Sequence, residues 1–388
     1  MKGTFSVMHH TKRASSIVAV IAAGLLALGL LHAQPATHPI AATIPTSLGL
    51  TYADIRAGGN TNSAVTFFSI GTGICAVISC PNGNKILSDC GSKSVTPELE
   101  KRALGFFKEI VQRNDKLYII LSHPDTDHYD KIMSFVGDYP IVGNHSVERV
   151  IAGGEYKKYS VDLTRWIGKL ITQKGENTPV TKDLKPRDRN RFLSPNTGVT
   201  CRADNVTTSA DGIYILTVNA GTSKNDSSLI FRFAHGIVSA TFTGDAGAKS
   251  TADVIEANQG PAWTRSTLLA AAHHGAESEG ANNEGWATAT APRAVVFSAG
   301  TAYENYAHPK CTSEAVYLKA PGARIQQGVV AHSFTCYQAQ YKPEPNNLYT
   351  NAMYNLADTG ALVFLSDGTN WGIWTCPGND ITKCIRSY

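Results

Sequence analysis

Short apolar runs that end in polar residues recur along this chain and predict a sheet-rich domain. In the first half the runs cover 65–71, 75–80, 85–91 and 116–121. In the second half they cover 212–218, 228–234, 237–244 and 293–299, and the run at 266–272 fits either a strand or a short helix. Strand, helix and strand in succession predict an α/β fold in which helices cover a sheet.

Turn and capping residues support these elements. Asn82-Gly83 between two apolar runs is typical of a β-hairpin. Thr96 followed by Pro97 predicts a helix start, because threonine caps free backbone N–H groups and proline fits the first turn. The segment 360–376 predicts a second hairpin, with its turn at Asp367-Gly368. The sequence contains no internal repeat that would indicate a solenoid.

The first 33 residues have the features of a signal peptide. Lys2, Lys12 and Arg13 precede the apolar run 17–31, and Ala33 is a candidate cleavage site. An uncleaved membrane anchor is the alternative, although the run is short for a full span. We therefore expect a periplasmic or secreted protein with no stable membrane span after leader cleavage. Residues 34–60 predict a linker or irregular arm, and 61–388 predict one large domain.

Charge and cysteine content bear on nucleic-acid binding and on the compartment of the protein. Leader removal lowers the formal charge from +4 to +1, because the leader carries three basic residues and no acid, so bulk charge gives no argument for nucleic-acid binding. The segment 155–195 is basic and contains interleaved aromatics; it fits either a phosphate-facing lid or a solvated surface insertion. Eight cysteines in an exported chain predict disulfides, with Cys376–Cys384 as the best local pair.

The densest polar cluster follows the strand predicted at 116–121. It contains His123, Asp125, Asp127 and His128 within six residues. Imidazoles and carboxylates at this density are costly to desolvate, and the carboxylates repel one another. A bound divalent cation reconciles them, whereas a structural loop would need only one such residue as a turn former.

Three further polar sites end apolar runs in the same way. Asp245 follows 237–244, His273 and His274 follow 266–272, and His308 follows 293–299. Singly, each has an ordinary explanation, such as a turn cap for Asp245 or a surface position for His308. Imidazole suits zinc or manganese-type ions and a carboxylate can bridge two cations, so the order of the set points to a metal centre.

With these residues in this order, the chain resembles metallo-β-lactamase superfamily hydrolases. More narrowly, it resembles the soluble hydrolase domain of bacterial competence (DNA-uptake) channel proteins and its stand-alone relatives. The resemblance covers most of residues 64–375. It rests on FFSIGTG (67–73), DCG (89–91), SHPDTDH (122–128), KNDSSL (224–229), FTGDA (242–246), AHHG (272–275), YAHP (306–309) and DTGALVF (358–364).

The resemblance implies an αββα sandwich with metals at one edge of two facing sheets. His123 and Asp125 would be ligands of a first metal. Asp127 and His128 would hold a second metal together with either His273 or His274. Asp245 would bridge the two metals, and Asp127 would also orient or deprotonate the attacking water. His308 would contact the leaving group or the oxyanion. Asn225 and Asp226 would lie near the site.

The sequence departs from the family pattern at several places. Ile74 stands where the competence-type pattern has an acid, and Ala276 stands where a serine usually follows HHG. No histidine occupies the third motif, which should follow the strand VERVIAGG, and His145 precedes that strand. Asp125 replaces a histidine of the hydrolytic lactamases, which favours manganese or mixed zinc occupancy. The first metal site is therefore expected to be weak, hydrated or empty.

These observations predict an exported hydrolase that uses one or two divalent ions, Zn²⁺ or Mn²⁺. Because phosphodiesters need cationic help during attack, a phosphodiesterase or nuclease acting on a phosphate-ester or nucleic-acid substrate is the leading hypothesis. A degenerate module that binds DNA or an envelope partner without turnover is the alternative, favoured by Ile74 and Ala276. A lactam or ester hydrolase is disfavoured by Asp125 and the missing third-motif histidine. The sequence predicts no particular protein partner.

Overall fold

The computed structural model describes residues 49–57, 62–137, 146–170, 175–186, 199, 201, 211–257, 261–301, 307–320, 332–338, 345–350 and 352–387. The predicted leader lies outside the described residues, as do 171–174 and 187–195 of the basic segment. Across the described parts of the chain, no helix has the length and apolar character needed to cross a membrane.

Two large sheets and one separate hairpin contain the strands. The first sheet has the order β17-β16-β15-β1-β2-β3-β4-β5-β6, and the second has the order β14-β11-β10-β9-β8-β7. The first comprises β1 (Ser63–Phe67), β2 (Gly73–Ser79), β3 (Lys85–Ser92), β4 (Lys116–Leu121), β5 (Ser146–Ala152), β6 (Val180–Thr181), β15 (Ala361–Ser366), β16 (Trp371–Cys376) and β17 (Ile385–Arg386). The second comprises β7 (Gly212–Thr217), β8 (Ile230–His235), β9 (Val238–Phe242), β10 (Leu268–Ala270), β11 (Ala294–Phe297) and β14 (Met353–Asn355), and the hairpin is β12 (His332–Tyr337) with β13 (Pro345–Thr350).

The described helices are mostly short and lie between the strands along the chain. They are α1 (Tyr52–Arg56), α2 (Pro97–Ile110), α3 (Thr126–Tyr129), α4 (Ile132–Val136), α5 (Val161–Ile167), α6 (Ala248–Ala257), α7 (Pro261–Thr264), α8 (Glu284–Thr290), α9 (Cys311–Leu318) and α10 (Leu356–Thr359).

Three buried apolar clusters define the layers. Between the sheets, the ring of Phe242 stacks on Phe231 and Phe67 at centroid distances of 4.6 and 5.5 Å. On the outer face of the first sheet, α2, α4 and α5 contribute to a second cluster. On the outer face of the second sheet, Trp286 of α8 and Tyr317 of α9 belong to the third. The molecule is therefore an αββα sandwich, as the resemblance implied.

Local sequence signals place several elements where they were predicted. The strand at 116–121 has the predicted bounds, and α2 begins at Pro97 with the Thr96 hydroxyl accepting the Leu99 N–H at 3.3 Å. The Asn82-Gly83 turn joins antiparallel β2 and β3, and Asp367-Gly368 lies between antiparallel β15 and β16. The ambiguous run at 266–272 is a three-residue strand followed by a 3₁₀ turn.

Two segments differ from their predictions. Residues 52–56 are helical rather than irregular, because Thr51 and Asp54 form a capping box and Ile55 is buried. The predicted basic insertion is not a purely solvated segment in its described part. Its helix α5 buries Leu163 and Ile167, and β6 pairs in parallel with β5.

All eight cysteines lie among the described residues, and they form four disulfides. The pairs are Cys75–Cys90, Cys80–Cys201, Cys311–Cys336 and Cys376–Cys384, of which the last was predicted. None of these thiols is therefore available for a metal. Cys75–Cys90 links β2 to β3 directly beside Asp89, a residue of the site described next.

Candidate metal centre

Parallel strands bring the predicted polar residues to one edge of the sandwich. In the first sheet β3, β4 and β5 run parallel, and the loop after β4 carries the 123–128 cluster. In the second sheet β9, β10 and β11 run parallel and are followed by Asp245, His273-His274 and His308. The carboxyl ends of parallel strands share an edge, which explains how residues so distant in sequence converge.

The carboxylate of Asp245 lies at the middle of the converging imidazoles. Its Oδ1 is 2.9 Å from Nε2 of His128 and 3.5 Å from Nε2 of His274. Its Oδ2 is 3.7 Å from Nε2 of His123 and 3.6 Å from Nε2 of His273. Asp245 thus lies between two pairs of histidines, and its role as a bridge between two metals stays a prediction.

Among the described residues, two sets of three have metal-binding atoms close enough to share one ion. One set is His123, His128 and Asp245, and the other is Asp127, His128 and His274, with all donor atoms of a set within 4.8 Å of one another. The second set includes His274 rather than His273. Of the two histidines between which the sequence left the ligand open, His274 is the one that belongs to such a set among the described residues.

Five buried side-chain atoms in this cluster make no hydrogen bond of good geometry within the described part of the chain, although two of them, His128 Nε2 and Asp245 Oδ1, lie 2.9 Å apart. They are Nε2 of His123, His128 and His274, and Oδ1 of Asp127 and Asp245. Buried polar atoms without partners are rare and costly. Imidazole nitrogens and carboxylate oxygens are also the donors that zinc and manganese prefer, so the residues present fit a divalent cation.

Surrounding groups fix the orientation of the histidine rings. Nδ1 of His128 lies 3.1 Å from Oδ2 of Asp89, and Nδ1 of His274 lies 2.8 Å from the carbonyl oxygen of Ser298. These contacts turn each Nε2 toward the cluster, as is usual for histidines that bind metals. Gly91 permits the approach of α3, since a Cβ there would lie 2.5 Å from the Thr126 carbonyl oxygen.

The paired histidines occupy an uncommon backbone conformation. His273 and His274 have φ of 49° and 54°, in the left-handed region that residues other than glycine rarely adopt. Successive residues in this conformation direct their rings differently. His274 is buried, whereas the His273 side chain is 18% exposed and its Nδ1 faces Asn225 Nδ2 at 3.4 Å and Ser278 Oγ at 3.2 Å.

Asp125 lies at the rim of the cluster and not within either set. Its Oδ2 is 3.4 Å from Nε2 of His123, while its Oδ1 forms an ion pair with Nζ of Lys224. A second lysine, Lys93, lies 3.0 Å from Oδ2 of Asp127. Both ammonium groups stand beside carboxylates that were predicted as metal ligands.

His308 also reaches this edge, with its ring centroid 6.1 Å from that of His273. Burial, together with the neighbouring His274 and His273, lowers the pKa of His308 to about 3. The imidazole is therefore neutral near pH 7. The Asn305-Tyr306 segment that precedes it lies outside the described residues.

The buried carboxylates require compensating positive charge. Burial opposes protonation of His128, but Asp245 and Asp89 outweigh it and raise the pKa of His128 well above its usual value. Burial also acts to raise the pKa of Asp245, yet His128 and then His273 hold it well below its usual range. A proton on His128 or a divalent cation can supply this charge.

The remaining predicted residues lie near the cluster or in the core. Asp226 is buried, and its carbonyl oxygen accepts a hydrogen bond from Ser250 at 3.0 Å. Ile74 belongs to the apolar cluster between the sheets, and Ala276 is also buried. His145 lies outside the described residues.

Sequence reasoning missed three residues of this site: Asp89, Lys93 and Lys224. Asp89 and Lys224 lie within motifs already noted, DCG (89–91) and KNDSSL (224–229), which was the available signal. Their partners lie 39 and 99 residues away along the chain, so only the folded structure pairs them.

Comparison with known proteins gives partial structural matches. No protein-family model matches the chain, and no curated protein sequence matches it. Human short-form tRNase Z is 13% identical over 53% of this chain and 76% of its own, with a TM-score of 0.31. CmlA, a diiron β-hydroxylase from Streptomyces venezuelae, is 13% identical over 54% of this chain and 34% of its own, with a TM-score of 0.31. A long-form RNase Z from yeast is 11% identical over 65% of this chain and 38% of its own, with a TM-score of 0.36. The chain spans less than half the length of these last two.

The architecture and the position of the motifs define the fold of this protein. Two facing sheets lie between helical layers, and the loops that follow their parallel strands carry the SHPDTDH, FTGDA and AHHG residues to one edge. The chain has the metallo-β-lactamase fold, with His and Asp clusters able to hold one or two divalent ions.

Proposed function

We propose that this protein is an exported metal-dependent hydrolase that cleaves phosphodiesters with a water molecule. The observation that carries the proposal is the convergence of buried imidazole nitrogens and carboxylate oxygens around Asp245, five of which make no hydrogen bond of good geometry within the described part of the chain. Asp127, His128, His274 and Asp245 would hold a divalent ion. When bound, such an ion lowers the pKa of water and stabilises the oxygens of an in-line displacement.

The residues around the cluster suit an anionic substrate. The ammonium groups of Lys93 and Lys224 belong to side chains that are 31% and 51% exposed, so they can meet a phosphate oxygen at the rim. Asp127 would orient the attacking water or accept its proton. His308 would donate a hydrogen bond to the leaving group or the developing negative charge, since its neutral ring has an N–H to give.

Export is supported by the covalent structure. All eight cysteines form disulfides, and disulfides persist in oxidising compartments such as the periplasm or the outside of a cell. A leader at residues 1–33 remains part of this proposal. A phosphodiester or nucleic-acid substrate is proposed because the rim offers ammonium groups to its anionic oxygens.

The proposal is tested by measuring hydrolysis of bis(4-nitrophenyl) phosphate by the disulfide-intact protein. The assay is run in the presence of EDTA, of Mn²⁺ or of Zn²⁺. We expect metal-dependent turnover that His128→Ala abolishes. His332→Gln is the matched control, because His332 binds the carbonyl oxygen of Met353 at the start of β14, the strand end opposite the site. A folded, metal-loaded protein without turnover would contradict the proposal and favour a binding module.

A further inference from the structure

We propose that this centre binds one divalent cation tightly rather than two, and that the ammonium of Lys224 takes the place of a second cation. The inference rests on the proposed function, since it concerns the same centre. It specifies how the positive charge of the site is divided between a metal ion and a side chain. Three separate observations carry it.

The first observation is that the two sets of donors share His128. Nδ1 of His128 is engaged with Asp89 Oδ2 at 3.1 Å and also faces Ser122 Oγ at 3.1 Å. Only Nε2 remains for an ion, and one imidazole nitrogen binds one cation. The two sets are therefore alternatives, unless the His123 side finds a further ligand to replace His128.

The second observation is that Asp125, a candidate for such a ligand, is already paired. Asp125 lies on the His123 side, with Oδ2 3.4 Å from His123 Nε2, but its Oδ1 is bound by the Lys224 ammonium. This contact neutralises the carboxylate that a second cation would need. It also places a fixed positive charge beside the position, and that charge repels a dication.

The third observation is that the neighbouring strand end has no room for a donor side chain. β5 runs parallel to β4, so the residues after it reach the same edge, and these are Gly153 and Gly154. A Cβ on Gly153 would lie 2.0 Å from the carbonyl oxygen of Ser122. A Cβ on Gly154, at φ +64°, would lie 2.6 Å from Cδ of Pro124.

The donors are therefore unequal on the two sides of Asp245. One side has Asp127, His128, His274 and Asp245 Oδ1; Lys93 lies 3.0 Å from Oδ2 of Asp127, and Oδ1 of Asp127 makes no hydrogen bond within the described part of the chain. The other has His123, His273, Asp245 Oδ2 and a carboxylate held by Lys224, but among the described residues no set of three close donors forms there without His128. The Lys224 side chain is half exposed, so its ammonium can face an anionic substrate oxygen and stabilise it as a second cation would.

Metal content and binding affinity test the inference independently of activity. We expect elemental analysis and titration calorimetry with Mn²⁺ and with Zn²⁺ to give one tight equivalent per wild-type chain. Lys224→Met frees Asp125, so it should bind a second equivalent at least tenfold more tightly than the wild type does. Adding Asp125→Asn to that variant should return it to one equivalent, and Lys108→Met, at an exposed position on α2, should match the wild type.

Two equally tight equivalents in the wild type would overturn the inference, and so would a Lys224→Met chain that still binds only one. Lys224→Gln provides a second test of the same contact with a polar side chain. Either overturning result can coexist with full metal-dependent phosphodiesterase activity, which leaves the proposed function standing. A wild-type chain that binds no metal would refute both.

Discussion

Oδ2 of Asp89 lies 3.1 Å from Nδ1 of His128, and Oδ1 of the same carboxylate accepts the backbone N–H of Ser122 at 2.7 Å. Asp89 thus joins β3 to both the loop and the histidine that follow β4. The contact fixes the His128 ring with Nε2 toward Asp245. Asp89 holds this place from a left-handed backbone conformation, with φ of 46°.

Replacing Asp89 by asparagine should weaken metal binding by about 10- to 100-fold, because the carboxylate that orients His128 is lost. Asparagine tolerates the left-handed conformation, so the backbone should persist. Competition with a chelator of known affinity measures the change. Asp162→Asn, at an exposed carboxylate paired with Arg165 on α5, is the control. Equal affinities for the Asp89 variant and the wild type would show that His128 does not depend on Asp89.

His274→Ala and His273→Ala should have different effects although the residues are adjacent. His274 is buried and shares a donor set with Asp127 and His128, so its removal should release the metal and abolish turnover. His273 lies outside both sets, so its variant should retain one equivalent while its rate falls. Metal content and phosphodiester hydrolysis, measured on the same preparations, separate the two outcomes. Loss of metal in His273→Ala alone would reverse the assignment.

The Cys75–Cys90 disulfide should support the metal centre as well as the fold. Cys75–Cys90 closes a loop of 15 residues, which predicts that it stabilises the folded state by about 3 kcal/mol. Cys376–Cys384 closes a loop of 8 residues, which predicts a similar value of about 2.5 kcal/mol. Only the first lies beside Asp89. Replacing both cysteines of that pair by alanine should therefore lower metal affinity by about tenfold.

The Cys376→Ala/Cys384→Ala chain is the matched control for this effect. It should lose comparable stability in urea unfolding while its metal affinity stays unchanged. If both double variants lost metal affinity to the same degree, the effect would be one of general stability and not of position.

Glu314 on α9 should make stability depend on pH. Burial raises the pKa of Glu314 from 4.5 to about 7. Between these values the folded chain keeps the proton and the unfolded chain loses it, so the contribution of Glu314 to stability is present below pH 4.5 and is lost as the pH rises to 7.

Glu314→Gln removes this titration. It should raise the free energy of unfolding by about 1 to 3 kcal/mol at pH 8 and change it little at pH 4.5, as measured by urea unfolding. Glu256→Gln, at an exposed position on α6, should show no such trend. A Glu314→Gln effect of equal size at both pH values would rule out titration of the carboxyl group as its cause.

Much of the fold was predictable because its signals are local. The strand at 116–121, the start of α2 at Pro97 and the turn at Asn82-Gly83 follow from periodicity, capping and turn chemistry over a few residues. The helix at 52–56 was missed, since the Ala, Pro, Thr and Gly content of the surrounding segment concealed the Thr51–Asp54 capping box.

The sequence by itself determined the layered α/β class, the Cys376–Cys384 pair and the chemical character of the polar cluster, because these depend on residue type and short spacing. Tertiary structure alone decided that His274 shares a donor set with Asp127 and His128, that Asp89 orients His128, and that Lys224 binds Asp125. These contacts join loops from different strands. Their distances depend on how the parallel strands align at the edge and on the left-handed turn at 273–274, neither of which a one-dimensional pattern encodes.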